Sequence, residues 1–162
     1  MIWPARLARA DDHAALAALW HQSWHDGHRA HTPAAVVAAR TLAFFAAKLP
    51  TLDHGLRVAG PPGQPLGLCF TTGDEIDQLF VAPAARGTGL ALTLLTDGEN
   101  RLQAAGITDA RLFCVTANHR AMRFYTRAGW HPLRQTTVPA DGFDPPELLD
   151  VTLFAKRLAM PG

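Results

Sequence analysis

The stretch from Leu79 to Ala91 reads LFVAPAARGTGLA, and it predicts a strand, a glycine-bearing turn and the start of a helix. Several backbone N–H groups lack partners at a helix start, and the helix dipole adds positive potential there. Gly87 and Gly89 let an anion approach the main chain closely, because no Cβ intervenes. Arg86 adds a fixed positive charge beside the turn. The segment therefore favours binding of a diphosphate.

Two common diphosphate-binding motifs do not fit this spacing. A P-loop requires Gly-Lys-Ser/Thr, whereas Gly89 is followed by Leu90 and Ala91. A dinucleotide-binding fingerprint requires a third glycine or an alanine at position 92, which is Leu92 here. A plain tight turn before a helix remains the alternative interpretation of the segment.

The segments after this turn predict a helix, a strand, a second helix and two further strands. Gly98 lies inside the first helix at a cost of about 1 kcal/mol relative to alanine, which indicates close packing at that position. Asn118 is expected to cap the next helix and Gly129 to end it. The expected elements are a helix from about Leu90 to Gly106, a strand at Ala110–Val115, a helix at Asn118–Gly129, and strands at Trp130–Val138 and Leu148–Leu158 joined by a turn-rich loop at Pro139–Pro146.

The segments before the turn predict two helices and four strands. Asp11 and Asp12 lie where a helix N-cap belongs, and Pro33 suits the first turn of a second helix. The expected elements are a strand at Arg6–Arg9, a helix through Trp24, a helix from Pro33 to Pro50, a hairpin at Gly55–Gly73 around Pro61-Pro62-Gly63, and a strand at Glu75–Val81. The sum is a single α/β (α+β) domain over residues 1–162, with a mixed, mostly antiparallel sheet of about seven strands and four helices on both faces.

The composition excludes several classes of protein. The formal net charge is +1, so no global field recruits nucleic acid. The start of the chain lacks the order of a signal peptide, and no apolar stretch is long enough to span a bilayer. We therefore expect a cytoplasmic protein without membrane contact. Cys69 and Cys114 lie in apolar runs and are expected to be buried free thiols.

Two sequence blocks resemble the GNAT superfamily of N-acyltransferases. Arg86-x-x-Gly89-x-Ala91 resembles the superfamily's acyl-CoA signature, Gln/Arg-x-x-Gly-x-Gly/Ala. The stretch from Asn118 to Trp130 resembles the superfamily's Asn-x-x-Ala-x-x-Phe-Tyr-x-x-x-Gly-Phe, with Trp130 replacing the usual phenylalanine. The resemblance extends from about residue 5 to residue 158, and its specific part is residues 75–131.

The resemblance implies that acetyl-CoA, or a close acyl-CoA, is the acyl donor. The pantetheine arm is expected along Leu79, Phe80 and Val81, between strands Glu75–Val81 and Ala110–Val115, which splay apart in the superfamily. An N–H near Phe80 or Val81 is then expected to polarise the thioester carbonyl. The diphosphate is expected over the backbone amides of Arg86, Gly87, Thr88, Gly89, Leu90 and Ala91, with Asn118 as a further contact to CoA.

The resemblance also assigns Tyr125 to protonation of the departing sulfur. This is chemically reasonable, because a phenol with a pKa near 10 can donate to a thiolate with a pKa near 8.5. The gain is modest, since that thiolate leaves well without help. The alternative is that Tyr125 has only a structural role, as an amphipathic residue of the core.

Acyl transfer to an amine also requires a proton acceptor, because a free alkylamine is charged near neutral pH. Glu75 and Asp77 precede Leu79 and Val81 at intervals of two, so a regular strand places all four on one face. Either carboxylate can serve as the base, and Glu75 is slightly preferred. The alternative is that both carboxylates lie on an exposed part of the strand.

Four histidines lie close together in the chain at positions 21, 25, 28 and 31. His21 and His25 have an i, i+4 spacing that can bind a transition metal, but no Glu completes a His-Glu-x-x-His motif, so no metal is expected. In the superfamily this region forms part of the acceptor pocket. Trp24, His25 and His28 are therefore the candidate contacts to the acceptor.

The preferred interpretation is an acetyl-CoA-dependent N-acetyltransferase that acylates a primary amine of a small molecule or a protein. The amine attacks the thioester directly. A non-catalytic acyl-CoA-binding or regulatory domain is the first alternative, and a module that binds ATP or NAD at the same turn is the second. The partners are then acetyl-CoA and an amine, and the protein is either a monomer or a homodimer.

Overall fold

The computed structural model describes residues 3–159, so the first two and the last three residues of the expected domain lie outside the description. Within that range a six-stranded sheet is covered by five α-helices. None of these helices is long and apolar enough to cross a lipid bilayer. The helices are α1 (His13–His28), α2 (Ala34–Ala39), α3 (Leu42–Lys48), α4 (Leu90–Ala104) and α5 (His119–Arg127), and the strands are β1 (Leu56–Ala59), β2 (Gly67–Thr72), β3 (Glu75–Val81), β4 (Asp109–Val115), β5 (His131–Pro139) and β6 (Leu148–Arg157).

The strands follow the order β1-β2-β3-β4-β6-β5 across the sheet. β3 and β4 are parallel, whereas every other neighbouring pair is antiparallel. This topology confirms the expected mixed, mostly antiparallel α/β sheet. The expected hairpin is also present, because β1 and β2 pair on either side of the turn that contains Pro61-Pro62-Gly63.

The expected first strand at Arg6–Arg9 is wrong, and the sheet of the described residues therefore has six strands rather than seven. Arg6 makes a single bridge to Val58, and the chain then turns into a short 3-10 helix at Ala10–Asp12. The Arg6 side chain donates from Nη1 to the carboxylate of Asp12 at 2.7 Å and from Nε to the carbonyl of Gly60, directly after β1, at 3.1 Å. This ion pair directs the chain into the helix instead of along the sheet edge.

Asp12 takes the expected N-cap position of α1, but its side chain bonds elsewhere. The Asp12 side chain accepts no hydrogen bond from the first turn of α1. Its fully buried carboxylate instead accepts from the backbone N–H groups of Arg9 and Gly63, both at 2.8 Å, in addition to Arg6. Hydrogen bonding to the Arg6 guanidinium holds the pKa of Asp12 well below its usual range. Asp12 therefore joins the N-terminal segment to the β1–β2 turn.

The expected single helix from Pro33 to Pro50 is divided into α2 and α3, which raises the number of α-helices from four to five. The break lies at Arg40, whose ψ of 64° is not helical. Thr41 then caps the new helix, because its side chain accepts from the backbone N–H of Phe44 at 3.1 Å. The sequence carries neither Gly nor Pro at this point, so its break was not predicted.

The sheet separates two hydrophobic cores. One core packs α4 and α5 against one face and includes Cys69, and the other packs α1 and α3 against the opposite face and includes the adjacent Leu68. Gly98 lies where α4 meets the first face, and a Cβ there would be 2.9 Å from Cδ1 of Ile76 and 3.1 Å from Sγ of Cys69. This confirms the expected close packing at Gly98.

A β-bulge in β3 changes which residues share a face. Ile76 pairs with Thr71 and Gln78 pairs with Phe70, so Asp77 is an extra residue without an opposite partner. The alternation therefore shifts at this point: Ile76 packs in the α4 core with Leu79 and Val81, and Phe80 packs in the α1 core. The expectation that Glu75 shares a face with Leu79 and Val81 is thus wrong. Glu75 pairs with Thr72 and shares the α1 side with Gln78 and Phe80.

Candidate active site

A cleft opens where the parallel strands β3 and β4 separate. The two strands pair only at their start, where Glu75 lies opposite Arg111 and Arg111 N–H donates to the carbonyl of Asp74 at 3.0 Å. Further along, Leu79–Val81 and Phe113–Val115 line opposite sides of a cavity of about 570 Å³. The superfamily resemblance implied this splay, and the strand pairing confirms it.

The main chain of β3 presents to the cleft groups that neither neighbouring strand pairs in the described part of the chain. Ala82 N–H donates to the carbonyl of Leu66 at 2.7 Å, so by alternation the N–H and C=O of Phe80 also point towards β2. The corresponding groups of Leu79 and Val81 point towards the gap. The carbonyl of Val81 accepts from the Ser23 hydroxyl of α1 at 3.2 Å. Between the two expected N–H donors, the geometry therefore favours Val81 over Phe80.

The glycine-bearing turn is built as an open anion site at the start of α4. Pro83–Ala85 forms one 3-10 turn, and Gly87 and Gly89 then adopt φ values of 76° and 87°. This left-handed backbone is accessible to glycine at little cost. A Cβ at either glycine would meet no atom within 4 Å, so the space over the turn is empty of side chains. No backbone or side-chain acceptor among the described residues bonds the N–H groups of Gly87, Thr88 or Gly89.

Arg86 is the fixed charge beside this turn, and it lines the cavity. Its Nη2 lies 3.2 Å from Oδ2 of Asp26 on α1, and both side chains are partly exposed. Thr88 stays within the turn, where its hydroxyl donates to the carbonyl of Ala85. An incoming diphosphate therefore has to compete with one carboxylate, that of Asp26, for the guanidinium.

Asn118 and Tyr125 are the two candidate site residues of the second motif, and they lie on the opposite side of the cleft. The Asn118 side chain caps α5 by accepting from Ala121 N–H at 3.3 Å, as expected. A Cβ at Gly27 would lie 3.1 Å from Nδ2 of Asn118, so the end of α1 closes against the start of α5. Tyr125 lines the cavity and packs its ring 5.9 Å from that of Phe154. Burial raises the pKa of Tyr125, so its hydroxyl is protonated and can donate a hydrogen bond, but it is a weaker acid than a free phenol.

Both candidate bases, Glu75 and Asp77, line the cavity. Loss of hydration raises the pKa of Glu75, the charge of Asp77 adds to the effect, and Arg111, with Nη2 3.9 Å from the Glu75 carboxylate, opposes it. The same loss of hydration inside the cleft raises the pKa of Asp77, although this side chain keeps contact with solvent. A carboxylate with a raised pKa is a stronger proton acceptor once it is ionised.

Two of the three expected acceptor contacts reach the cavity. Trp24 and His28 line it, and their rings lie 5.3 Å apart in an edge-to-face arrangement. Burial lowers the pKa of His28 to about 4, so its imidazole is neutral near neutral pH. His25 is not among the lining residues, and its Nε2 instead bonds the backbone carbonyl of Arg40 at 2.7 Å.

Several cavity-lining residues were not named as candidates in the sequence analysis. They come from the break between α2 and α3, from α3 itself and from the β5–β6 loop, which no short motif connects to the cleft. The charged and aromatic members of this set are Arg40, Phe44, Lys48 and Asp141, and Trp20 and Ser23 of α1 join them.

The histidine cluster does not form a metal centre in the described part of the chain. The rings of His21 and His25 pack 4.6 Å apart, and no group of three His, Cys, Asp or Glu side chains converges within residues 3–159. Cys69 and Cys114 are buried free thiols, as expected. Cys114 lies on the cavity wall, where burial raises the pKa of its thiol to about 12, so it is not a thiolate nucleophile.

Comparisons with known proteins agree with this geometry. A sequence model described as "Acetyltransferase (GNAT) family" matches residues 56–130, which contain both motifs and the cleft strands. A mycothiol acetyltransferase of Parafrankia sp. (strain EAN1pec) is 35% identical over 81 residues, covering 50% of this chain and 24% of that protein. The chain therefore spans about a quarter of the length of the curated relatives it matches.

The fold extends the likeness over nearly the whole chain. A GCN5-related N-acetyltransferase from Rhodopseudomonas palustris superposes with a TM-score of 0.77 and 26% identity, covering 98% of this chain and 97% of that one. The PaiA N-acetyltransferase from Thermoplasma acidophilum, solved in complex with coenzyme A, has a TM-score of 0.67 and 18% identity, covering 97% and 99%. Residues 56–130 therefore match the GNAT acetyltransferase family, and the fold of the chain, with its splayed strands and open turn, supports the GNAT superfamily.

Proposed function

We propose that this chain transfers an acetyl group from acetyl-CoA to a primary amine. The observation that carries the proposal is the continuous path from the open glycine turn, along the free edge of β3, to Glu75 and Asp77 on the cavity wall. A diphosphate on the turn leaves the pantetheine arm to run along Val81. The thioester then ends beside the two carboxylates and opposite Tyr125.

Binding uses the main chain more than the side chains. The first N–H groups of α4 and the glycine turn hold the diphosphate with the aid of the helix dipole, and Arg86 adds one charge-assisted contact. The pantetheine amides pair with the N–H and C=O of Val81, as an added strand would. Ser23 gives up its bond to the Val81 carbonyl when the arm enters.

The chemical step is direct attack of the amine on the thioester. The amine nitrogen forms a bond to the carbonyl carbon, and the N–H of Val81 stabilises the resulting oxyanion. Glu75 or Asp77 accepts the proton that the amine loses, directly or through water. The C–S bond then breaks, and the Tyr125 hydroxyl donates its proton to the departing CoA thiolate. The products are an N-acetyl amine and CoA.

Ligand preference and turnover distinguish an acetyltransferase from a nucleotide-binding module and from a non-catalytic acyl-CoA-binding domain. Thermal denaturation with CoA, ATP and NAD separates them, since a ligand at 100 times its dissociation constant adds about 2.7 kcal/mol to the free energy of unfolding. We expect CoA to stabilise the protein more than ATP or NAD does. Stronger stabilisation by ATP or NAD would support a nucleotide-binding module instead.

Turnover is tested by release of the CoA thiol from acetyl-CoA across a panel of amines. The panel contains polyamines, aminoglycosides, amino acids and peptides with free N-termini. We expect thiol release that depends on the added amine. Binding of CoA without amine-dependent release from any member would favour the non-catalytic acyl-CoA-binding alternative.

A further inference from the structure

Arg40 is a buried cation on the wall of the cleft, at the break between α2 and α3. The residue is only 7% exposed, yet it lines the cavity. His25 fixes the backbone at this point, since Nε2 of its ring bonds the Arg40 carbonyl at 2.7 Å. The break that the sequence did not predict therefore places a guanidinium inside the cleft and holds it there.

The guanidinium has no carboxylate partner among the described residues. Its Nη2 donates to the backbone carbonyl of Asp141 at 3.2 Å, and none of the ion pairs among the side chains that the structure describes involves Arg40. The carboxylate of Asp141 is instead bonded to Lys48 at 2.6 Å. The ring of Phe44 lies 4.3 Å from Cζ of Arg40, and that of Phe143 lies 5.8 Å away. Aromatic rings thus support the cation while its Nε and Nη1 donors remain unused.

Burial of a charge without an ion-pair partner is energetically costly. Burial lowers the pKa of Arg40 from its ordinary value, and the charge of Asp141 only partly opposes the effect. A planar guanidinium with two free donors is well suited to an oxyanion, which it can bind through two parallel hydrogen bonds. A ligand carrying such a group would compensate the charge that the protein leaves unpaired.

A second buried donor points to the same chemistry. Trp20 is 3% exposed and lines the cavity, and its indole N–H finds no acceptor among the described residues. A buried indole N–H ordinarily has a partner. An acceptor oxygen supplied by a ligand would satisfy Trp20, as it would satisfy Arg40.

The carboxylates of the same cavity define where the other end of such a ligand lies. Glu75 and Asp77 of β3 line the same cavity as Lys48 of α3 and Asp141. Lys48 and Asp141 largely neutralise each other. On this side of the cavity Arg40 is left without an ion-pair partner, in a cleft that also contains two carboxylates suited to an ammonium group. The other lining arginines lie elsewhere, Arg86 at the glycine turn and Arg120 in α5.

We propose that the acceptor is a small amine that also carries a carboxylate, and that Arg40 binds this carboxylate while the amine faces Glu75 and Asp77. The inference rests on the proposed function, because it names the substrate class of the same cleft. It separates amino acids from polyamines and aminoglycosides, which have no carboxylate and would bring further positive charge towards Arg40.

The test compares L-amino acids with the corresponding amino acid amides as acceptors. Each pair shares its side chain and its amine and differs in the carboxylate. The amide has the less basic amine, so intrinsic reactivity favours the amide and works against the proposal. We expect kcat/KM to be higher for the acid by about 10- to 100-fold, the range for a charge-assisted hydrogen-bonded contact.

Variants at Arg40 assign the preference to this residue. Arg40→Gln is expected to raise KM for the acids by about 10- to 100-fold and to change kcat/KM for the amides little, while Arg40→Lys recovers part of the preference. Arg134→Gln changes an exposed arginine of β5 and serves as the control, with no expected effect. Melting temperatures and CoA titrations show whether each variant is folded. If Arg40→Gln is unfolded, the comparison of Arg40→Lys with wild type decides.

Failure of this inference is distinguishable from failure of the proposed function. Equal or lower kcat/KM for the acids than for the amides, with CoA binding intact, would overturn the inference alone. If no pair of acid and amide is acetylated, calorimetric titration of each into the CoA-loaded protein compares their affinities. Equal or weaker binding of the acid would then overturn the inference. Absence of CoA binding would overturn the proposed function first.

Discussion

The two sides of the cleft were specified by the sequence in different ways. The donor wall comprises Leu79–Ala91 and Asn118–Tyr125, and each half is one continuous motif that supplies its own turn, cap and helix start. The acceptor wall comprises Trp20–His28, Arg40–Lys48 and Asp141, which meet only in the folded chain. A site built by neighbours in sequence is readable from sequence, whereas a site built by distant contacts requires the fold.

The largest effect is expected from Gly89→Val on the donor wall. Gly89 has φ of 87° in open space, so a valine there strains the backbone and fills the space above the N–H groups. We expect the affinity for CoA to fall by about 100-fold, the loss of one or two charge-assisted hydrogen bonds. Calorimetric titration with CoA measures it.

Gly106→Val is the matched control for this change. Gly106 follows the other end of α4, with φ of 86° and equally open surroundings. Both variants carry the same backbone strain and should lose similar stability, but only Gly89→Val should lose CoA. Equal loss of CoA affinity in the two variants would mean that the turn does not hold the diphosphate.

The next effect is expected from Glu75→Gln, which removes a candidate base between the two walls. Because Asp77 can partly replace it, we expect kcat/KM to fall by about 10- to 50-fold, less than for a sole base. In the wild type, kcat/KM should rise with pH through the raised pKa of Glu75, and the variant should lose that limb of the profile. An unchanged pH profile in both Glu75→Gln and Asp77→Asn would remove both carboxylates from the mechanism.

Glu75→Gln is expected to lower activity but to increase the stability of the fold. A carboxyl whose folded pKa is raised binds more protons in the native than in the unfolded state between the two pKa values, so stability falls as pH rises through that window. The unfavourable contribution of ionised Glu75 is therefore fully present near neutral pH. Glu75→Gln should raise the melting temperature at pH 7 and change it less at pH 3.

A smaller effect is expected from Tyr125→Phe on the donor wall. The CoA thiolate leaves well unaided, so loss of the hydroxyl should lower kcat by about 10-fold, below the usual range for a general acid. The affinity for CoA should stay within a factor of two, an order-of-magnitude bound for a ring that keeps its packing. A full wild-type kcat would show that Tyr125 contributes only packing.

The smallest effect is expected from Asp26→Asn. Asp26 lies on the acceptor wall, and its ion pair with Arg86 links that wall to the donor wall. The partly exposed Asp26–Arg86 ion pair is worth about 0–1 kcal/mol, so its loss changes stability little. Because Asp26 no longer competes for Arg86, we expect CoA to bind about two- to fivefold more tightly. Weaker binding of CoA would mean that the ion pair positions Arg86 for the diphosphate.

The sequence predicted the fold to the level of its elements. Patterns of apolar residues, glycines and caps gave the sheet, the hairpin, both cleft strands and α4 and α5. The errors lie where a distant partner decided the local structure. Asp12 takes the N-cap position of α1 but its side chain bonds the β1–β2 turn, and Arg40 interrupts a helix with neither Gly nor Pro nearby.

The site divides in the same way. Gly87, Asn118 and Tyr125 were found from motifs, and the structure brings them to the cleft with Trp24, His28 and the two carboxylates. Thr88, Gly89 and Leu90, also expected at the diphosphate, are not among the residues that line the cavity. The β-bulge at Asp77 was not visible, because a single extra residue is defined only against the partner strand. The bulge moved Glu75 to the α1 side of the sheet, where it faces the acceptor wall.

The most direct test of the account is a crystal structure of the protein with CoA. The account predicts the pyrophosphate over the N–H groups of residues 86–91 and the pantetheine arm bonded to the main chain of Val81, with the sulfur within reach of Tyr125. CoA bound outside the gap between β3 and β4, or a pyrophosphate held away from the glycine turn, would contradict it.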